Sequence, residues 1–193
     1  MCVIIVKPAG VKMPEEYVLK AAYKANPHGC GFVSDNHFVK TMSFNVFMRE
    51  LSKVETDESC IIHFRLATHG SIKKANCHPF VKDDVFFAHN GILSIAPIGD
   101  LTDSETALIK VVHPAIVKYG WGSKEADKII NGLTGGYSKF AIMKDGDLKL
   151  YGDFIKQPDG CFYSNLRFRV YLNPYESSCR QRIRNIDYRF AEV

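Results

Sequence analysis

The opening run, Cys2-Val3-Ile4-Ile5-Val6, narrows the possible folds more than any other part of the chain. It is short, apolar and β-branched, and Lys7-Pro8-Ala9-Gly10 closes it, so it reads as a buried strand. Two further apolar runs, Ser59 to Phe64 and Val85 to His89, also read as strands. Each leads directly into a polar cluster, the kind of place where sites gather in layered folds. Between and after these runs the spacing is helical. Pro14 to Ala25 carries a proline at its start, Ser43 can cap a helix running to Leu51, and Asp103 to Tyr119 keeps one apolar face. A further helix is expected from Ser123 to Leu133.

Turn chemistry supplies two hairpins. One joins Phe32-Val33 to His37-Phe38-Val39 around Ser34-Asp35-Asn36, and the other joins Ser138–Met143 to Leu148–Tyr151 around Lys144-Asp145-Gly146-Asp147. Phe162-Tyr163 and Phe168 to Leu172 are expected as strands as well. Strands at both ends with helices between them predict one α+β domain over residues 1–193, a length that suits a single core.

Bulk properties exclude several function classes. The apolar content of 46% and charged content of 24% are globular values, and no apolar run is long enough to cross a bilayer. The start lacks the basic segment and long apolar core of a signal peptide, so a cytoplasmic location is expected. The six cysteines are irregularly spaced, which fits reduced thiols better than a disulfide framework. Residues 154–193 hold seven Lys/Arg against four Asp/Glu, a local excess of +3. No nucleic-acid motif accompanies it, so a nucleic-acid partner is not expected.

Several residues carry chemical potential. Removal of Met1 would leave Cys2 with a free α-amine of pKa roughly 7.7–8.0, able to take the thiol proton, so one residue could supply both nucleophile and base. His63-Phe64-Arg65-Leu66-Ala67-Thr68-His69-Gly70 ends a strand with a planar cation that suits a carboxylate, although an Arg at a strand end also serves in plain ion pairs. His89-Asn90-Gly91 can aim an amide N–H and a backbone N–H at one spot, or simply turn the chain in a hairpin. Asp103 stands at a helix start, as an N-cap or as a carboxylate for a substrate ammonium, or as both.

The ordered set Cys2, His63-x-Arg65-x-Ala67-Thr68-His69-Gly70, Asn76-x-His78-Pro79, His89-Asn90-Gly91 and Asp103-x-Glu105 resembles the class II glutamine amidotransferase domain, one of the N-terminal nucleophile hydrolases. Asn26-Pro27-His28-Gly29-Cys30-Gly31-Phe32 is similar to that family's early glycine-rich loop, and Gly135-Gly136-Tyr137-Ser138 and Tyr163-Ser164-Asn165 give a weaker echo. The resemblance implies a four-layer αββα sandwich and hydrolysis of glutamine to glutamate and ammonia through a thioester, with no cofactor and no metal. It implies that Cys2 attacks the side-chain amide and that Asn90 and Gly91 form the oxyanion hole. Arg65, Thr68 and His69 would take the α-carboxylate side of glutamine, and Asp103 the α-ammonium. The length matches the hydrolase domain alone, so a separate ammonia-accepting synthase is the expected partner. Leu66 departs from the aromatic residue of many relatives, and the stretch Ile92 to Thr102 is short.

Three other readings compete. Cys60-x-x-His63, His69, Cys77-His78 and His89 include zinc-type ligands, though without a second paired spacing. A non-catalytic module could keep the fold and bind a partner through Arg180-x-Arg182-x-Arg184 beside Tyr188 and Phe190. The nucleophile could also serve a different amide.

Overall fold

The computed structural model describes residues 2–67 and 71–172. Thr68, His69 and the arginine-rich segment 180–184 therefore lie outside the described residues. Among the described residues ten strands form two sheets whose pairings are all antiparallel. The larger sheet has the order β3-β2-β4-β1-β10-β9, built from β1 (Val3–Lys7), β2 (Cys30–Ser34), β3 (Phe38–Thr41), β4 (Cys60–Phe64), β9 (Ile155–Lys156) and β10 (Phe162–Tyr163). The smaller has the order β5-β6-β7-β8, from β5 (Phe80–Lys82), β6 (Val85–Asn90), β7 (Lys139–Lys144) and β8 (Asp147–Tyr151).

Every residue of β1 is buried, which explains the unbroken apolar run over residues 3–6. Period two sends its side chains to both faces. Val3 and Ile5 join a core with α1 (Glu16–Ala25) and α2 (Phe44–Leu51) through Leu19, Ala22, Phe47 and Leu51. Ile4 and Val6 face the other way and meet Ala88, Ala141 and Met143 of the smaller sheet. A third core lies beyond that sheet, where Phe87, Phe140 and Ile142 pack on Leu108, Val112, Ile116 and Ile130. Three apolar layers thus separate four structural ones, helices–sheet–sheet–helices, and the expected αββα sandwich is what forms.

The predicted helix over 103–119 forms as three consecutive segments: α3 (Asp103–Ala107), a π-helical turn (Leu108–Val112) and α4 (His113–Tyr119). Pro114 brings no N–H to the ladder, and the wider turn before it accommodates that loss. Helix α5 (Lys124–Leu133) starts at Ser123, whose hydroxyl accepts from Ala126 N at 3.1 Å. Ser43 caps α2 in the same way, as its sequence position predicts.

One predicted element is corrected. Phe168 to Leu172, read as a strand, is a 3-10 helix over Arg167–Tyr171. Asn165 Oδ1 accepts Arg167 N at 3.1 Å and starts the turn. Of the alternating apolar residues Phe168 is buried while Val170 is 82% exposed. Among the described residues no helix is long and apolar enough to cross a membrane.

Candidate active site

Five of the residues singled out by the sequence line one cavity of about 740 Å³: Cys2, Arg65, Asn90, Gly91 and Asp103, with Leu66 at the wall. They arrive on different elements. Cys2 precedes β1, Arg65 follows β4, Asn90 ends β6, and Asp103 begins α3. The cavity sits where the strand ends of the two sheets converge.

Cys2 Sγ accepts the Leu66 backbone N–H at 3.3 Å and lies 3.5 Å from Leu66 O. Burial pushes the thiol up from its ordinary pKa, opposed by that backbone N–H and by the charge of Arg65. Arg65 is 5% exposed, and its Nη1 donates to Ser71 O at 3.1 Å. The loop 26–29 braces this segment from outside. His28 N donates to Arg65 O and Arg65 N to Gly29 O, both at 2.9 Å, and Ala67 N donates to His28 Nδ1 at 3.0 Å.

Asn90-Gly91 is not a hairpin turn. Asn90 is the last residue of β6, paired with Lys139 of β7, and the chain leaves the sheet at Gly91 with φ of 148°. A Cβ there would stand 2.4 Å from Ser138 Oγ and 2.7 Å from its Cα, so the backbone takes this path only as glycine. The N-cap of α3 is Thr102, whose Oγ1 accepts Glu105 N at 3.1 Å. Asp103 is therefore not the N-cap. It occupies the first helical position, where Oδ1 accepts Ser104 N at 2.7 Å and the carboxylate faces the cavity.

Behind these residues lie three buried histidines whose role the sequence did not reveal. Ser138 Oγ donates to Ile92 O at 2.8 Å and lies 3.2 Å from His89 Nε2. His89 Nδ1 lies 2.8 Å from Ser104 Oγ, which in turn donates to Asp103 Oδ1 at 3.2 Å. His63 Nε2 donates to His89 O at 3.2 Å, and the His78 ring packs on His63 at 4.3 Å between centroids. Burial lowers all three: His63 to about 3, His89 to about 4 against the pull of Asp103, and His78 well below the ordinary range. With their pKa values lowered in this way the imidazoles stay uncharged near pH 7 and floor the cavity.

The zinc arrangement fails on strand geometry. Cys60 packs in the helix-side core with Ile62 and Phe64, whereas His63, three residues on, faces the other sheet. Among the described residues no group of three or more His, Cys, Asp or Glu could hold a metal ion.

A family model described as class-II glutamine amidotransferases matches residues 21–144. The chain belongs to the class II glutamine amidotransferases. Among solved structures, the fold resembles glutamine phosphoribosylpyrophosphate amidotransferase from B. subtilis, complexed with ADP and GMP. The identity is 18% and the TM-score 0.55, over 84% of this chain and 41% of that one. A second, described as the allosteric regulatory enzyme of purine biosynthesis, has 17% identity and a TM-score of 0.57, over 89% of this chain and 43% of that one. The chain spans less than half the length of either, and at these identities the likeness concerns the fold, the amidotransferase form of the αββα sandwich. No curated protein matches the sequence.

Proposed function

We propose that this family member hydrolyses the side-chain amide of glutamine with Cys2 as an N-terminal nucleophile, once Met1 has been removed. The observation that supports it is the convergence of a thiol, a buried guanidinium, two potential oxyanion donors and a carboxylate on one cavity. In this reading Arg65 binds the α-carboxylate and Asp103 the α-ammonium, a pair of opposite charges that selects an α-amino acid. The Cys2 α-amine takes the thiol proton, and Sγ bonds to the amide carbon. Asn90 Nδ2 and Gly91 N receive the negative charge on oxygen. The C–N bond then breaks and ammonia leaves with the relayed proton. Water attacks the thioester, releasing glutamate and restoring the thiol. Thr68 and His69 complete the carboxylate side of the site, and the ammonia passes to a synthase on a separate partner. Residues 1–193 act in this scheme as one hydrolase domain.

Intact-mass spectrometry with an electrophilic glutamine analogue tests the scheme, with Cys2→Ala as control. The expected result is a parent mass lacking Met1 and one adduct, blocked by glutamine and absent from the variant. Retained Met1, or labelling that survives in Cys2→Ala, refutes the mechanism. A second reading, hydrolysis of a different amide, is favoured only if the processed protein hydrolyses acyl-amides faster than glutamine.

A further inference from the structure

The residue after β10 sits between the two sheets. Ser164 is fully buried, and its Oγ accepts one N–H from each side: from Ile4 N of β1 at 2.8 Å and from Asn90 Nδ2 at the end of β6 at 2.8 Å. Its backbone is held in both directions too. Ser164 N donates to Ile4 O at 2.9 Å, and Lys139 Nζ, from the strand paired with β6, donates to Ser164 O at 2.5 Å. The next residue reaches the nucleophile itself, with Asn165 Nδ2 donating to Cys2 O at 2.8 Å while Oδ1 holds Arg167 N.

A hydroxyl oxygen offers two lone pairs. In Ser164 both are occupied, one by the strand that carries the nucleophile and one by the side chain expected to stabilise the oxyanion. We propose that Ser164 and Asn165 are positioning residues that fix the Cys2 thiol relative to the Asn90 amide, with Ser164 aiming the amide and Asn165 anchoring the Cys2 backbone. A serine that only satisfied a buried backbone N–H would need the Ile4 contact alone. The bond to a side chain of the opposite sheet is what makes it a spacer across the site. This rests on the reading that Cys2 and Asn90 act together on an amide.

The test compares wild type, Ser164→Ala and Asn165→Ala in the full chain. Loss of an oxyanion donor costs about 10²–10³ in kcat, so an Asn90 amide that is present but badly aimed should cost roughly 10- to 100-fold. For Ser164→Ala the expected pattern is that fall in kcat for glutamine, with KM and the rate of Cys2 labelling by the electrophilic analogue both within about twofold of wild type. For Asn165→Ala, at a half-buried position outside the apolar cores, labelling and kcat should fall together while KM holds.

Hydrogen exchange gives a readout independent of substrate: amides of residues 3–6 should exchange faster in both variants, with α4 and α5 unchanged. Unaltered kcat and exchange in Ser164→Ala, or faster exchange throughout both sheets, overturns the proposal. If wild type neither turns over glutamine nor labels, the glutamine reading has failed, and exchange in β1 still decides whether the spacer exists.

Discussion

Acidification from pH 7 to pH 5 should destabilise this protein through the floor of its site. His63 and His89 are neutral in the fold, with pKa values lowered to about 3 and about 4 by burial, whereas in the unfolded chain they titrate near 6.5. Between those limits the unfolded state binds protons that the folded state refuses, so stability rises with pH and is lost as pH falls below about 6.5. At pH 5, about 1.5 units below the unfolded value, each histidine costs roughly 1.5 × 1.36, or ~2 kcal/mol. The pair costs ~4 kcal/mol, and His78 adds in the same direction. That is a large part of the 5–15 kcal/mol typical of a domain. With a urea slope near 2 kcal/mol/M, the midpoint should drop by about 2 M between pH 7 and pH 5. Urea titrations followed by circular dichroism at half-unit pH steps measure it, in a window where exposed carboxylates stay ionised. A midpoint that stays flat across the window refutes the argument, because it requires the imidazoles to titrate alike in both states.

Two substitutions probe other parts of the argument. Gly91→Ala places a methyl against the Ser138 backbone at a φ of 148°; glutamine hydrolysis should fall about 10²–10³-fold and stability by about 1–3 kcal/mol, measured by steady-state ammonia release and thermal unfolding. Lys7→Met keeps the stem of a side chain only 1% exposed but removes the ammonium that donates to Thr56 O at 2.8 Å and Glu58 O at 2.5 Å. The carbonyl of buried Glu58 loses this donor while exposed Thr56 O keeps Gly10 N, so denaturation should show a loss of about 1–3 kcal/mol with site labelling intact.

Local chemistry made much of this molecule legible in the sequence. The Asp145-Gly146 turn closes the β7–β8 hairpin with both φ values positive, the conformation that dipeptide favours. The β1 run reads as buried because β-branched residues fill both of its faces. Phe168 to Leu172 misled because its apolar alternation is real but Val170 faces solvent, while Phe168 is buried on Tyr163 at 5.8 Å and Leu172 packs on the same core only in part. The edge strands β5 and β9, of three and two residues, are too short to carry a period. The cavity-lining residues Cys2, Arg65, Asn90, Gly91 and Asp103 were visible as motifs because the chemistry expected of each needs a particular side chain or a glycine backbone. Ser164 and the three histidines stood in those motifs too, but their contacts were not legible, since their partners lie far along the chain: Ser104 and Ser138 for His89, Ile4 for Ser164.

The pairing of Ile5 with Tyr163 carries a consequence for biosynthesis. Closing a loop of that size costs about 4–5 kcal/mol of chain entropy, so the contact waits for other strands to bring the ends together. A ribosome adding about 5–20 residues each second emits β10 roughly 8–30 s after β1. Once β4 has followed it, β1 can pair with that strand, but Cys2 O still lacks the Asn165 side chain that holds it. In the proposed scheme a nascent chain therefore carries Cys2 for many seconds before the contacts that hold it exist, and hydrolysis waits until translation has passed residue 165.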